Sequence, residues 1–156
     1  MPLISDSSGN IGIDNRQSDL AMTVRKGILN GFAESDWVFV PELTLANGRR
    51  VDLISLDSRG LIRIIEIKSS IYDYKSDQKW HEYKDFCDAF YFASHPDVPQ
   101  ETFPENEGFI LADAHGCEVL REATIGKLPA PTRKVLTLRI ARIAAERLRR
   151  YTLHEM

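Results

Sequence analysis

The chain has 156 residues, 43% hydrophobic and 28% charged, the make-up of a soluble globular protein long enough to bury one core. No run reaches the roughly 18 apolar residues of a membrane span, and Met1–Asn15 lacks the basic and apolar regions of a signal peptide. Two cysteines, Cys87 and Cys117, make no disulfide framework, and the scattered histidines make no zinc pattern, so a cytoplasmic location is expected by elimination.

The net charge of −3 hides a split: residues 131–156 carry seven Lys/Arg against two Glu, and residues 1–130 carry 13 against 21 Asp/Glu. The distribution of charge therefore says more about partners than the total does. Residues 1–15 are polar and aperiodic and read as a loose leader, with one domain over residues 16–156. Apolar residues at helical spacing from Arg16 to Ala33 predict a first helix, with Asp14 or Asn15 as its cap.

Three strands follow: Trp37–Leu45, Arg50–Asp57 and Leu61–Lys68, the first two joined at the turn signal Asn47-Gly48. Trp80, Tyr83, Cys87 and Phe90 at recurring intervals predict a second helix over about Ser76–Ala89, its stripe buried. Phe90–Ala93 reads as a short apolar strand. Gly108–Ala112 and Glu118–Arg121 read as a hairpin, and Thr132 to about Tyr151 as a last helix. The order is α-β-β-β-α-β followed by a hairpin and a helix, an α/β class with a mixed sheet.

The third strand ends in Glu66-Ile67-Lys68. Side chains alternate along a strand, so Glu66 and Lys68 share a face. A three-residue loop Ser58-Arg59-Gly60, with Gly60 left-handed, pairs Asp57 with Leu61 and places Asp52 opposite Glu66. A two-residue loop would put Asp52 on the other face. Opposed carboxylates about 4.5–5.5 Å apart at Cβ repel unless a proton or cation lies between them. Hard oxygen ligands suit Mg²⁺ or Mn²⁺. Asp52 and Glu66 are thus expected metal ligands, with Lys68 beside them to position water or offset charge at a phosphodiester. The alternative is a structural ion pair at a sheet end.

Glu42 depends on the first turn. With a two-residue Asn47-Gly48 turn it faces Leu53; with a three-residue loop Ala46-Asn47-Gly48 it faces Asp52 and becomes a possible third ligand. Arg49 and Arg50 lie near the carboxylates and are candidates for contact with a phosphate backbone. In the last helix, Leu136, Ile140, Ile143, Ala144, Leu148 and Tyr151 share one face, with Arg139, Arg142, Arg149 and Arg150 on the opposite arc. That arc is either a phosphate-tracking surface or the solvated side of an amphipathic helix.

Asp52, then Glu66-Ile67-Lys68 and a helix, resembles the D…ExK signature of the PD-(D/E)XK nuclease superfamily, whose αβββαβ restriction-endonuclease-like core has the same order. Three further stretches are more specific: Glu42-Leu43-Thr44-Leu45-Ala46-Asn47-Gly48-Arg49-Arg50-Val51-Asp52, Lys79-Trp80-His81-Glu82-Tyr83, and Phe86-Cys87-Asp88-Ala89-Phe90-Tyr91-Phe92-Ala93. With Glu66-Ile67-Lys68-Ser69-Ser70 they resemble the MmcB family of bacterial DNA repair proteins, and the resemblance runs into the Arg-rich last helix. It implies a Mg²⁺-dependent deoxyribonuclease or a DNA-binding repair accessory with a vestigial site. It also implies that the Ile67 carbonyl is a metal ligand and that Gln78 and Lys79 face the phosphate, Lys79 as part of the catalytic set. The plain alternative for Gln78 and Lys79 is a solvated helix face, and for Trp80 and Tyr83 a place in the core.

Overall fold

The computed structural model describes residues 19–155. The expected leader, its cap and the first turn of the first helix lie outside the described residues. The elements are α1 (19–31), β1 (Val38–Thr44), β2 (Arg50–Leu56), β3 (Ile62–Ile67), α2 (Ile71–Ser76), a 3-10 helix (Lys79–Phe86), β4 (Ala89–Ser94), a 3-10 turn (Gln100–Thr102), β5 (Gly108–Ala112), β6 (Cys117–Arg121) and α3 (Ala130–Glu155). All six strands form one mixed sheet in chain order. The pairs β1–β2, β2–β3 and β5–β6 are antiparallel, and β3–β4 and β4–β5 are parallel. The α/β class and element order follow the pattern of the sequence, and the C-terminal hairpin joins the same sheet.

Each face of the sheet is covered. On one, Val24 and Ile28 of α1 pack on Leu53, Ile65, Tyr91, Ala93 and Ile110. On the other, Trp80, Tyr83, Leu136 and Ile140 cover Ile54, Ile62, Ile64, Phe90, Phe92 and Phe109. β4, buried at every residue, is the continuous apolar strand expected where helices cover both sides. Gly27 lets α1 sit close to the β5–β6 hairpin, since a Cβ there would fall 1.8 Å from the Asp113 carbonyl oxygen.

Two predicted elements differ. The helix expected over about Ser76–Ala89 is a shorter 3-10 helix, Lys79–Phe86, and a short helix that was not expected, α2, precedes it. Ser70 caps α2 by accepting the Asp73 N–H at 2.9 Å, and the extended backbone of Asp77 ends it. Trp80 and Tyr83 still reach the core, because three residues per turn puts positions i and i+3 on one side. In α3 the apolar stripe outruns the core: Leu136 and Ile140 are buried, Ile143 and Ala144 half-buried, but Leu148 and Tyr151 are exposed. Beyond Ala144 the stripe no longer packs against the core.

Asp88 ties the sheet to α3. Its buried carboxylate accepts the N–H groups of Ile62 (2.8 Å) and Leu128 (3.0 Å) and both terminal nitrogens of Arg133. Burial would raise the Asp88 carboxyl, but the bonds from Arg133, Ile62 and Leu128 outweigh it and hold it below the ordinary range.

Candidate metal centre

The β2–β3 hairpin closes as the three-residue reading expects. Asp57 N–H donates to Leu61 O at 3.2 Å, Gly60 N–H to Asp57 O at 3.0 Å, and Gly60 takes φ +84°. The register Leu53↔Ile65, Ile54↔Ile64 then sets Asp52 opposite Glu66. Glu66 continues the row of Ile62 and Ile64 toward Tyr83, and it is itself buried.

The two carboxyl groups face each other in one cleft. Burial comes first among the influences on Glu66, then the hydrogen bond to Asp52 and the charge of Asp52, and all three push its carboxyl far above the ordinary range. Lys68 pulls the other way without offsetting them. Asp52 also accepts the Ile67 N–H at 2.7 Å. Its position is therefore fixed by backbone as well as by its neighbour.

Lys68 is buried at 3% exposure, and its Nζ lies 3.4 Å from Asp77 Oδ2 and 4.0 Å from Asp73 Oδ1. Both carboxylates are anchored in turn: Asp73 accepts Ser69 N–H at 2.9 Å, and Asp77 accepts Lys79 N–H at 3.0 Å. Burial would raise the Asp77 carboxyl, yet the Lys79 N–H and the Lys68 ammonium together hold it below the usual range. Asp52, Glu66, Ile67, Lys68, Asp73, Asp77, Arg50, Ser69, Tyr83 and Ala21 line one open cleft of about 350 Å³. Sequence reasoning missed Asp73 and Asp77, although their four-residue spacing after a Ser cap is the pattern of one helix face.

The first hairpin is also a three-residue loop: Leu45 N–H donates to Arg49 O at 2.7 Å, and Gly48 takes φ +84°. The register sets Glu42 opposite Asp52, between the pairs Pro41↔Leu53 and Leu43↔Val51. Glu42, however, has φ +51°, which shifts the phase of β1 so that Val40 and Leu43 reach the same core layer. Its half-exposed carboxylate lies 3.9 Å from Arg25 of α1 and is not among the groups lining the cleft. Among the described residues, no cluster of three or more His, Cys, Asp or Glu side chains forms a ready cage.

The remaining expected contacts are spread around the cleft. Arg50 lines it. Arg49 pairs with Glu82 at 2.9 Å. Gln78 donates to Tyr74 O at 2.7 Å and accepts from Trp80 Nε1 at 3.3 Å, so its amide is engaged locally. Lys79 is exposed at the start of the 3-10 helix. Arg139 donates to Thr44 O at 2.6 Å, and Arg142 is exposed.

The donor set suits a hard divalent ion. Two facing carboxylates that share a proton can exchange it for a cation, and Mg²⁺ commonly takes one or two protein carboxylates and keeps several waters.

The profile of the MmcB-like DNA repair protein family matches residues 9–155. A search of the curated proteins finds no match. Among solved structures, a protein of unknown function from Silicibacter pomeroyi, SPO1766, is 34% identical and superposes with a TM-score of 0.83. That match covers 87% of this chain and 93% of the other. The chain belongs to the MmcB-like DNA repair protein family.

Proposed function

We propose that this MmcB-like protein is a metal-dependent nuclease of the PD-(D/E)XK type that hydrolyses phosphodiester bonds in DNA. The observation that carries the reading is the pairing of Asp52 opposite Glu66 in an open cleft that a buried lysine also lines. Membership of a DNA repair family makes DNA the natural partner.

Asp52, Glu66 and the carbonyl of Ile67 would hold Mg²⁺ or Mn²⁺. When bound, the ion would supply Lewis acidity for water and phosphate. Lys68, held by Asp77, would orient the attacking water or donate to a non-bridging phosphate oxygen as charge builds there. Arg50 on the cleft wall and exposed Lys79 would take flanking phosphates. Glu42 would join the ligands only if it left Arg25.

The test is incubation of the purified protein with plasmid, branched and damaged DNA in Mg²⁺, in Mn²⁺ and in chelator. Cleavage that needs metal and disappears in Asp52→Asn and Lys68→Ala supports the reading. Binding without cleavage in either metal replaces it with a repair accessory whose site is vestigial. No binding to any of these DNAs sinks both.

A further inference from the structure

The cleft has a rim that the proposed chemistry does not use. None of the six residues of α2 is buried, Tyr72 is 73% exposed and Ile71 42% exposed. Helices this short and exposed are marginal alone, so this one must be held by its flanks. Tyr74 anchors it in the core, its ring edge-on to Phe92 at 5.4 Å and Phe103 at 5.2 Å. Asp73 anchors it to Ser69, and Ser70 caps it. The backbone of Tyr72 is thereby fixed next to that of Asp73, which lines the cleft. Lys75 follows within one turn and Lys79 just beyond, both exposed.

An aromatic ring kept in water on a helix whose Asp73 lines a polar cleft, with a lysine one turn further on, has the ingredients of a stacking platform. A paired base within a duplex already has its two faces covered by its neighbours. An unpaired base offers a free face, and the neighbouring lysines fit the phosphates that accompany it. We propose that the outer face of α2, through Tyr72 and Lys75 and helped by Lys79 at the start of the 3-10 helix, docks an unpaired nucleobase of a DNA strand whose phosphate lies in the cleft. This rests on the reading of the protein as DNA-binding and names the form of DNA that it takes: single strands, gaps or flaps.

Fluorescence anisotropy in Ca²⁺ and chelator tests the proposal with three labelled DNAs of one sequence: a single strand, a gapped duplex and a blunt duplex. The single strand and the gapped duplex are expected to bind more tightly than the blunt duplex. Tyr72→Ala should weaken those two by about 5-fold to 100-fold, the range for loss of one stacked base, and leave the blunt duplex unchanged. Tyr72→Trp should restore them, while Lys75→Ala should weaken all three and lower the salt dependence. Unchanged Mn²⁺ affinity and melting temperature in Tyr72→Ala would show that fold and cleft are intact. Blunt-duplex preference, or Tyr72→Ala binding like wild type, overturns the platform and leaves the DNA reading standing. No binding to any of the three DNAs overturns both.

Discussion

The Asp52 carboxylate accepts the Ile67 N–H at 2.7 Å, in the place where β2 would otherwise pair with β3. The β2–β3 register runs as far as Leu53↔Ile65, and there the side chain of Asp52 takes over from the backbone as acceptor. One residue thus closes the end of the hairpin and offers its other oxygen to the cleft.

Those two duties separate by substitution. Asp52→Asn keeps an acceptor for Ile67 and removes the charge facing Glu66, so the metal-free protein should melt at or above the wild-type temperature. It should also lose Mn²⁺ binding by calorimetry. Asp52→Ala leaves a buried N–H without a partner and should cost about 1–3 kcal/mol in urea unfolding.

Metal-free stability should fall as pH rises. Burial, and then the proton shared with Asp52, hold the Glu66 carboxyl protonated well above its ordinary value of 4.5. Above that value the unfolded chain releases the proton while the folded one keeps it, so the unfolding free energy decreases with pH. This contribution is fully present below the unfolded value and is lost as pH rises through the folded one. Melting curves from mildly acidic to alkaline buffer should show the decline. Glu66→Gln or saturating Mn²⁺ should flatten it.

Lys68 and Asp77 should act as a unit. Lys68→Ala is expected to slow cleavage by roughly 10²- to 10⁴-fold, the range for a proton-handling or charge-stabilising side chain, while Mn²⁺ still binds. Asp77→Asn leaves the ammonium only the 4.0 Å approach to Asp73 and should slow cleavage on the order of 10- to 100-fold. In the double variant the two losses should not add. Additive losses in single-turnover rates would separate Asp77 from Lys68.

Asp88→Ala strands the N–H groups of Ile62 and Leu128 and leaves Arg133 without its carboxylate. Breaking such a buried pair should cost about 3–5 kcal/mol, read from urea melts. Arg133→Ala should cost a similar amount by leaving Asp88 charged and buried. Lys134→Ala, at an exposed neighbouring position, should change little.

The strands were legible because their apolar, β-branched runs are separated by the turn residues Asn47-Gly48 and Ser58-Arg59-Gly60, and in the second hairpin a three-residue loop also gives face and register. The pairing of Asp52 opposite Glu66 is a consequence of counting residues back from Gly60. Glu42 was not legible: even the correct loop length leaves its direction to a single φ of +51°, and Arg25 draws on its carboxylate from an element far away in sequence. Asp73 and Asp77 escaped notice because their role depends on where Lys68 ends, a tertiary matter. The short α2 was written in the cap pair Ser70 and Asp73, but the strong aromatic stripe that follows drew the expected helix to begin only at about Ser76. In α3 the periodicity identified the helix correctly and could not say where its packing on the core stops.

The arginines of α3 that reach β1 bear on the protein's behaviour at high concentration. Arg139 binds the carbonyl of Thr44, and Arg147 binds those of Pro41 and Glu42. β1 is an outer strand of the sheet, whose free edge a strand from another molecule could extend. Guanidinium groups on its acceptors, and a proline that brings no N–H, deny such a strand its ladder. The arginines of α3 therefore do more than complete the fold: they engage acceptors of an outer strand, and a chain shortened before Arg147 is expected to self-associate more readily.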